Sequence, residues 1–371
     1  MPIALKQEQT PMAARTYRVG IVGAGQHVAY SSEVHSLRDD PSIPVRNTVV
    51  AGHAASLALM PNVEVVGICD LDPKRTERFK RAWSSKWPDL RLYSDYKEML
   101  RSEDIDILTV ATPDHLHADV AVHAAGTGVK GILCEKPIAT SLSDADRIIE
   151  ACDSNGVVLT VDHTKRWTAF YHEVREAVRS GAIGPVGTIV ATLAGRKMLF
   201  RDGTHVIDAI CFFAESDPVK VSAVVEEGFE SWDRYRGSGI DDQDGEPGAS
   251  GFIQFANGIR ALYCGTGGTF PGTWLQISGP KGQVHVDAHE ESAYVMTGNV
   301  EVGGVQRRNL IARPFQVQRI VAAYHEMIGL IERGGEGVSS GREARKTLQI
   351  ILGFLKSHQE GGKLVPVPEA D

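Results

Sequence analysis

The sequence predicts an α/β domain built on a parallel sheet, followed by an α+β domain. Three observations carry this. Up to about residue 163, six short β-branched runs alternate with segments of helical period, and strands apolar throughout belong to sheets covered on both faces. The first run ends in Gly23-Ala24-Gly25, a turn of the kind that opens a dinucleotide fold. Beyond residue 186, strand-like runs come with hairpin signals, Asn257-Gly258 the clearest.

Composition agrees with a soluble globular protein of two domains or one large one: 371 residues, 42% apolar and 23% charged. A formal charge of −8 gives no basic footprint for nucleic acid or anionic membrane. The five cysteines show no CxxC spacing, which favours reduced thiols in a reducing compartment over disulfides or a zinc site. Residues 1–16 are polar, make a poor signal peptide and read as a disordered tail. No apolar run is long enough to span a bilayer, so a cytoplasmic protein is expected.

In chain order, the strand at 17–22 meets its glycine turn because the backbone must bend sharply and approach a pyrophosphate closely, with Gln26 next. Valine stands at 28, where the pattern would place its third glycine, so the turn alone says little. The expected acid is Asp70, which ends the strand at 63–69 but lies 45 positions after Gly25. The excess falls in residues 31–50, polar and broken by prolines; an insertion of roughly twenty residues restores the usual spacing. Residues 51–59 read as the helix before the second strand. Asp72-Pro73 opens the next helix, with aspartate as N-cap and proline at its first position.

Further strands fall near 90–93, at 105–111, 129–134 and 157–161, with helices between them. Thr112, Pro113 and His117 follow the fourth strand, Glu135-Lys136-Pro137 the fifth and Asp162-His163 the sixth. Lys136 therefore occupies the carboxyl end of a strand, where open α/β sheets hold ligands. By position alone, a surface lysine is the commoner meaning. This half is a Rossmann-type domain.

The second half reads as a helix at 170–179, strands at 186–192, 219–225, 251–255, 259–264, 274–278 and 283–287, and a helix at 341–358. Segment 195–203 is basic and apolar, which suits either an anionic or acidic sugar or a solvated loop. Residues 231–250 read as a mobile, solvated loop; Asp241, Asp242, Asp244 and Glu246 lack the full pattern of a calcium loop. The pairs His115/His117 and His285/His289 have no further ligand at metal spacing, so no metal is expected.

GIVGAG, the Cys69-Asp70 strand end, Thr112-Pro113…His117, Glu135-Lys136-Pro137 and Gly203-Thr204-His205-Val206-Ile207-Asp208, in that order, resemble the Gfo/Idh/MocA family. The likeness runs from about Tyr17 to Pro368, and the Glu-Lys-Pro motif joined to His-x-x-Asp is its most specific part. The resemblance implies an NAD(P)-dependent oxidoreductase acting on a sugar, cyclitol or related polyol. It also implies a C-terminal α+β domain with a large, mostly antiparallel open sheet, through which the chain forms a homo-oligomer, dimer or tetramer. The domains are then a tail at 1–16, the NAD(P)-binding domain at 17–163 with its insertion, and a substrate-binding and oligomerisation domain at 164–371.

The family commonly pairs the motif lysine with a downstream histidine and an aspartate one helical turn before it. Lys136 and His205 match. Four before His205 stands Arg201, so either Asp202 acts from a shifted backbone or the acid is missing. On this reading Gly23, Gly25 and Gln26 take the pyrophosphate. Asp70 accepts the ribose hydroxyls and disfavours a 2′-phosphate, which favours NAD over NADP. Thr112, Pro113 and His117 lead to the nicotinamide, beside Glu135 and Lys136. His205 is the general base, Lys136 steadies charge on the reacting oxygen, and Asp208 supports the His205 turn. Arg166 and Trp167 are substrate contacts or domain-crossover packing. Two alternatives stay open, an NAD-dependent glycosidase and a non-catalytic sensor of NAD or sugar; the presence of both Lys136 and His205 weighs against the sensor.

Overall fold

A computed structural model of the chain describes residues 15–25, 28, 52–195, 198–229, 246–267, 271–288, 292–299, 303–311 and 319–370. Nearly all of the expected tail, the 31–50 insertion, Gln26, Asp241, Asp242, Asp244 and His289 lie outside the described residues.

Strands β1 (Tyr17–Val22), β2 (Val63–Cys69), β3 (Arg91–Tyr93), β4 (Ile107–Val110), β5 (Gly131–Cys134) and β6 (Val158–Val161) form one sheet in the order β3-β2-β1-β4-β5-β6. Every pairing in it is parallel. β4 and β5 are buried along their whole length, as continuous apolar runs require when helices cover both faces. Helices α1 (His53–Ala58), α2 (Pro73–Trp83), α3 (Tyr96–Ser102), α4 (His117–Ala125) and α5 (Leu142–Asn155) make the crossovers. The Asp72 side chain accepts from Lys74 N at 2.9 Å and so caps α2 as its sequence implies, with Pro73 where a missing N–H costs nothing. The strand order reverses between β1 and β4, and the carboxyl ends of those two strands open a crevice.

The second sheet has nine strands: β7 (Thr188–Ala194), β8 (Pro218–Val225), β9 (Ala249–Phe255), β10 (Arg260–Thr266), β11 (Gly272–Gly279), β12 (Gly282–Asp287), β13 (Ser292–Asn299), β14 (Gly304–Leu310) and β15 (Val365–Pro366). Their order is β14-β13-β12-β11-β7-β10-β9-β8-β15, and only β7 with β10 is parallel. Period-2 burial along β7 and β10 sets one face into a core with α6 (Ala169–Arg179) and α7 (Thr204–Ala214). Helix α8 (Arg319–Arg333) leaves this half of the chain and buries Ile320, Val321, Tyr324, Met327 and Ile328 against the parallel sheet. A Cβ at Gly131 would stand 2.7 Å from Met327 Sδ, so a glycine in β5 is what admits α8 so closely. Helix α9 (Gly341–Gln359) packs on both halves, burying Phe354 in the second core and Leu348 in the first. β13, β14 and α8 have no counterpart in the sequence reading. β14 is exposed along nearly all its length and offers no alternation to find.

All five cysteines are free thiols. No described helix is long and apolar enough to cross a membrane.

Candidate active site

A cleft of about 1160 Å³ lies at the carboxyl ends of the parallel strands. Gly23 and Gly25 line it after β1, Asp70 after β2, Thr112 and Pro113 after β4, and Glu135 and Lys136 after β5. Gly23 has φ of 100°, and a Cβ there would sit 2.2 Å from Ala111 O, so the turn requires glycine. At Gly25 no atom of the described residues stands within 4 Å of an added Cβ. Val28 is buried in the apolar core, where the third glycine was sought.

Asp70 is fixed by backbone: Oδ2 accepts from Ala24 N at 2.8 Å and Oδ1 from Asp72 N at 2.9 Å. It ties the glycine turn to the end of β2 while lining the cleft. Lys74, Arg75, Arg78 and Arg81 of α2 line the same end, with Arg75 3.8 Å from Asp70. Size, glycine turn and acid together fit a bound dinucleotide.

Glu135 and Lys136 rest on a buried polar network. His53 Nε2 lies 3.0 Å from Glu135 Oε1, and its Nδ1 lies 3.0 Å from Tyr324 Oη, which is 2.6 Å from Thr109 Oγ1. Asp162 Oδ2 is 3.9 Å from His53, and its Oδ1 is buried with no hydrogen-bond partner among the described residues. Burial and then the Glu135 charge raise the Asp162 carboxyl to about 7. Burial alone would lower the His53 pKa, yet the Glu135 hydrogen bond and charge outweigh it and raise it. Among the described residues, His53, Glu135 and Asp162 are the group with metal-capable atoms close enough for one ion, within 4.8 Å of one another. The His53–Glu135 spacing is that of a hydrogen bond.

Lys136 Nζ donates to Arg201 O at 2.9 Å, across from β5 to the turn ahead of α7. That turn is one π-helical turn, Leu199–Gly203. On it, Asp202 N bonds Met198 O, and the Asp202 side chain is not among the cleft's lining. The carboxylate that the second sheet's half brings to the cleft is instead Glu246, which accepts from Phe200 N at 2.9 Å and Arg201 N at 3.1 Å. The solvated role expected of Glu246 is therefore corrected: it is 8% exposed, and burial raises its pKa.

His205 begins the second position of α7, its ring 6.3 Å from that of His163. Its Nδ1 is buried without a hydrogen-bond partner among the described residues. Burial, then the charges of Lys136 and Lys165, hold its pKa well below the usual value, so the ring is neutral near neutral pH. Beneath it, His163 Nδ1 approaches Asp208 Oδ1 at 3.1 Å, a contact rather than a well-aligned hydrogen bond. Asp208 also receives Arg166 Nε at 3.0 and 2.9 Å on its two oxygens. Burial opposes ionisation of Asp208, but Arg166 and His163 reverse that and hold it far below the carboxylate range.

Besides Asp202 and His205, which are not among the cleft's lining, three more expected site residues sit away from it. Arg166 is 2% exposed and spent on Asp208, Glu343 and Val338 O, and Trp167 Nε1 donates to Glu326. Both belong to the crossover packing. His117 is fully buried, its nitrogens 3.0 Å from Pro137 O and 3.0 Å from Thr112 O. It braces the two loops that line the cleft instead of lining it. The Lys136–Pro137 peptide, one residue before that carbonyl, is cis.

A second, smaller cavity of about 160 Å³ opens beside His205. Thr164, Lys165, Thr168, Phe170, Tyr171, His205, Ala288 and Arg319 line it. Lys165 Nζ lies 5.9 Å from the Tyr171 ring centroid. Burial, then the charge of Arg319, lowers the Lys165 pKa to about 8. Sequence reading gave no site role to His53, Asp162, Lys165, Arg319 and Tyr324, and weighed Glu246 only as part of a solvated acidic loop. Two of them carried a positional signal, since Asp162 directly follows β6 and Lys165 comes three residues on.

Residues 17–163 match the family described as "Oxidoreductase family, NAD-binding Rossmann fold". The D-apiose dehydrogenase of Paraburkholderia graminis is 27% identical over 329 residues, which is 80% of this chain and 82% of that protein. The inositol 2-dehydrogenase of Salmonella typhimurium is 31% identical over 123 residues, 33% of this chain and 35% of its own. Among solved structures, a levoglucosan dehydrogenase in complex with NADH and L-sorbose superposes with a TM-score of 0.75 at 19% identity. That superposition covers 96% of this chain and 100% of the other, and at such identity it speaks for the fold.

Proposed function

We propose that the chain is an NAD-binding oxidoreductase of the Gfo/Idh/MocA family that oxidises a secondary alcohol of a sugar, cyclitol or related polyol reversibly to a ketone. Relatives named for apiose and inositol dehydrogenation support the substrate class. The observation that carries the reading is Lys136, a cation in the cleft at the end of β5 whose Nζ reaches the turn leading into the His205 helix.

When bound, the nicotinamide supplies the two-electron acceptor. Lys136 holds the reacting oxygen and stabilises the negative charge that develops on it as the hydroxyl ionises. His205, neutral in its enclosed position, takes the hydroxyl proton. Glu135 and the residues behind it hold the Lys136 backbone, Glu135 Oε2 accepting from Lys136 N at 3.2 Å. Asp202 is placed in no step. Gly23, Gly25, Thr112 and Pro113 cradle the dinucleotide, and Asp70 at the adenosine end favours NAD over NADP.

We further propose self-association through the open face of the nine-stranded sheet. Val224, Ser250, Cys264, Thr192 and Trp274 are cross-strand neighbours in one row of that face, and Leu262 lies on it as well. Val224, Leu262 and Trp274 are all exposed there, and apolar side chains grouped on one face mark a contact surface.

The test is a panel of sugars and polyols run with NAD and with NADP, read by absorbance of the reduced cofactor. Turnover of at least one polyol with NAD is expected. Cofactor binding without turnover of any member would leave a sensor as the better reading.

A further inference from the structure

Resting on that oxidoreductase reading and narrowing its substrate, we infer that Glu246 touches the substrate: its Oε1 accepts from a second hydroxyl beside the carbon being oxidised, so the substrate is a neutral vicinal diol. The side chain is firmly placed. Pro247 O accepts from Leu199 N at 3.0 Å, and Glu246 Oε2 accepts from Phe200 N at 2.9 Å and Arg201 N at 3.1 Å. Bonds to three consecutive amides thus fasten the segment leading into β9 to the π-helical turn ahead of α7. Only one carboxylate oxygen is spent in this way. Oε1 has no hydrogen-bond partner among the described residues, yet it is not a sealed atom, so it shares in the little exposure left to Glu246.

Glu246 and Lys136 line the same cleft and are joined through a single residue. Arg201 gives its N–H to Glu246 Oε2 and its carbonyl to Lys136 Nζ, the latter at 2.9 Å. Burial raises the Glu246 pKa, while the two amide bonds and the Lys136 charge favour its ionised form. An ionised carboxylate only accepts, so whatever meets Oε1 must donate: a hydroxyl can, and an ether or ketone oxygen cannot. Beside it Lys136 only donates. That pairing matches adjacent hydroxyls of one molecule, the first gathering negative charge at Lys136 while the second gives its hydrogen to Glu246. A carboxylate or phosphate on the substrate would instead meet a like charge. The basic segment 195–203 loses its case for an acidic sugar at this point, since its amides at 200 and 201 already hold the chain's own carboxylate.

The experiment compares trans-1,2-cyclohexanediol with its monomethyl ether and with cyclohexanol, and D-glucitol with D-gluconate as a matched neutral and acidic pair. Binding to the NADH-bound protein is measured by ligand-observed NMR, and kcat/KM with NAD is measured in parallel. The diol should exceed the ether and cyclohexanol at least about tenfold, as a hydrogen bond to a charged group implies. Glu246→Gln can keep both amide bonds through its carbonyl oxygen while turning an NH2 donor to the cleft. It should cut the diol's advantage over the ether to within about threefold, with NADH affinity near the parent value. Glu246→Asp, still acceptor-only, should retain most of that advantage, whereas a merely structural role predicts equal losses for every compound. Parity of diol and ether in the parent overturns the inference, and so does an advantage unchanged in Glu246→Gln. Tighter binding of D-gluconate than of D-glucitol, or no binding of any member, overturns it as well. Turnover without a diol preference does so while leaving the oxidoreductase reading intact. A diol preference in binding that Glu246→Gln abolishes, without turnover of any compound, would sustain the role of Glu246 and count against that reading instead.

Discussion

His53 Nε2 lies 3.0 Å from Glu135 Oε1, joining the first helix described after the glycine turn to the residue that precedes Lys136. Behind the pair sits Asp162, 2% exposed, its carboxyl raised to about 7 by burial and by Glu135. A carboxyl raised on folding holds its proton in the folded state over a range where the unfolded chain has lost it. Stability then falls as pH rises from the ordinary carboxylate value near 4 through 7. His53, also raised, acts in the same direction: its contribution is complete below about 6.5 and fades as pH rises through its folded value. Asp162→Asn removes the buried charge and should flatten the slope, stabilising the protein at pH 8 by roughly 1–3 kcal/mol. Denaturant titrations of both proteins from pH 5.5 to 8.5 check this; identical slopes would mean that Asp162 is not the titrating group.

His205 gives the opposite pH signature, in activity. Burial and two lysine charges keep its ring neutral to well below the ordinary histidine value of 6.5. If it takes the hydroxyl proton, the acid limb of kcat/KM should fall below pH 6.5, and the His205→Ala variant should lose that limb along with most of its rate. A limb centred above 7 would assign the proton to another group.

The parallel sheet was legible because its strands are apolar on both faces and its turns carry glycine, aspartate and proline where backbone geometry needs them. Asp72-Pro73 is the plainest case, capping α2 as read. The second domain was legible only where burial alternates, which is why β10 was found and the exposed β14 was not. Individual site residues were harder. Arg166 and Trp167 carry the chemistry of sugar contacts, but which way a side chain faces after a crossover depends on helices more than a hundred residues away, Glu326 and Glu343 among them. Glu246 was hidden for the same reason, since only tertiary structure brings the Phe200 and Arg201 amides to it.

Lys136→Met keeps the stem of the side chain and deletes its charge and its bond to Arg201 O. Loss of one group that stabilises a developing oxyanion costs about 10²–10³ in kcat. The expected result is a fall of that size with NADH affinity unchanged within about threefold, measured by fluorescence titration. Turnover within a few-fold of the parent would make this lysine structural.

Arg166 should behave as a structural cation. It is buried against Asp208, and removing one partner of such a pair leaves the other uncompensated, at about 3–5 kcal/mol. Arg166→Lys loses the forked geometry and should lower the midpoint of denaturation, while KM of the surviving folded enzyme stays near the parent value. A raised KM with unchanged stability would return Arg166 to the substrate.

Gly23 and Gly25 should separate folding from cofactor binding. At Gly23, φ of 100° and an Ala111 carbonyl 2.2 Å from any Cβ mean that Gly23→Ala strains the backbone and pushes β1 from β4. A loss of at least about 2 kcal/mol in stability is expected, with NADH binding lost as well. At Gly25 an added methyl meets no atom of the described residues within 4 Å, so Gly25→Ala should leave the melting temperature of the free protein within about 2 °C. The same methyl projects where a pyrophosphate must approach the backbone, and it should weaken NADH binding at least about tenfold. Melting curves with and without NADH read both effects at once. Parent-like NADH affinity in Gly25→Ala would place the dinucleotide elsewhere in the cleft.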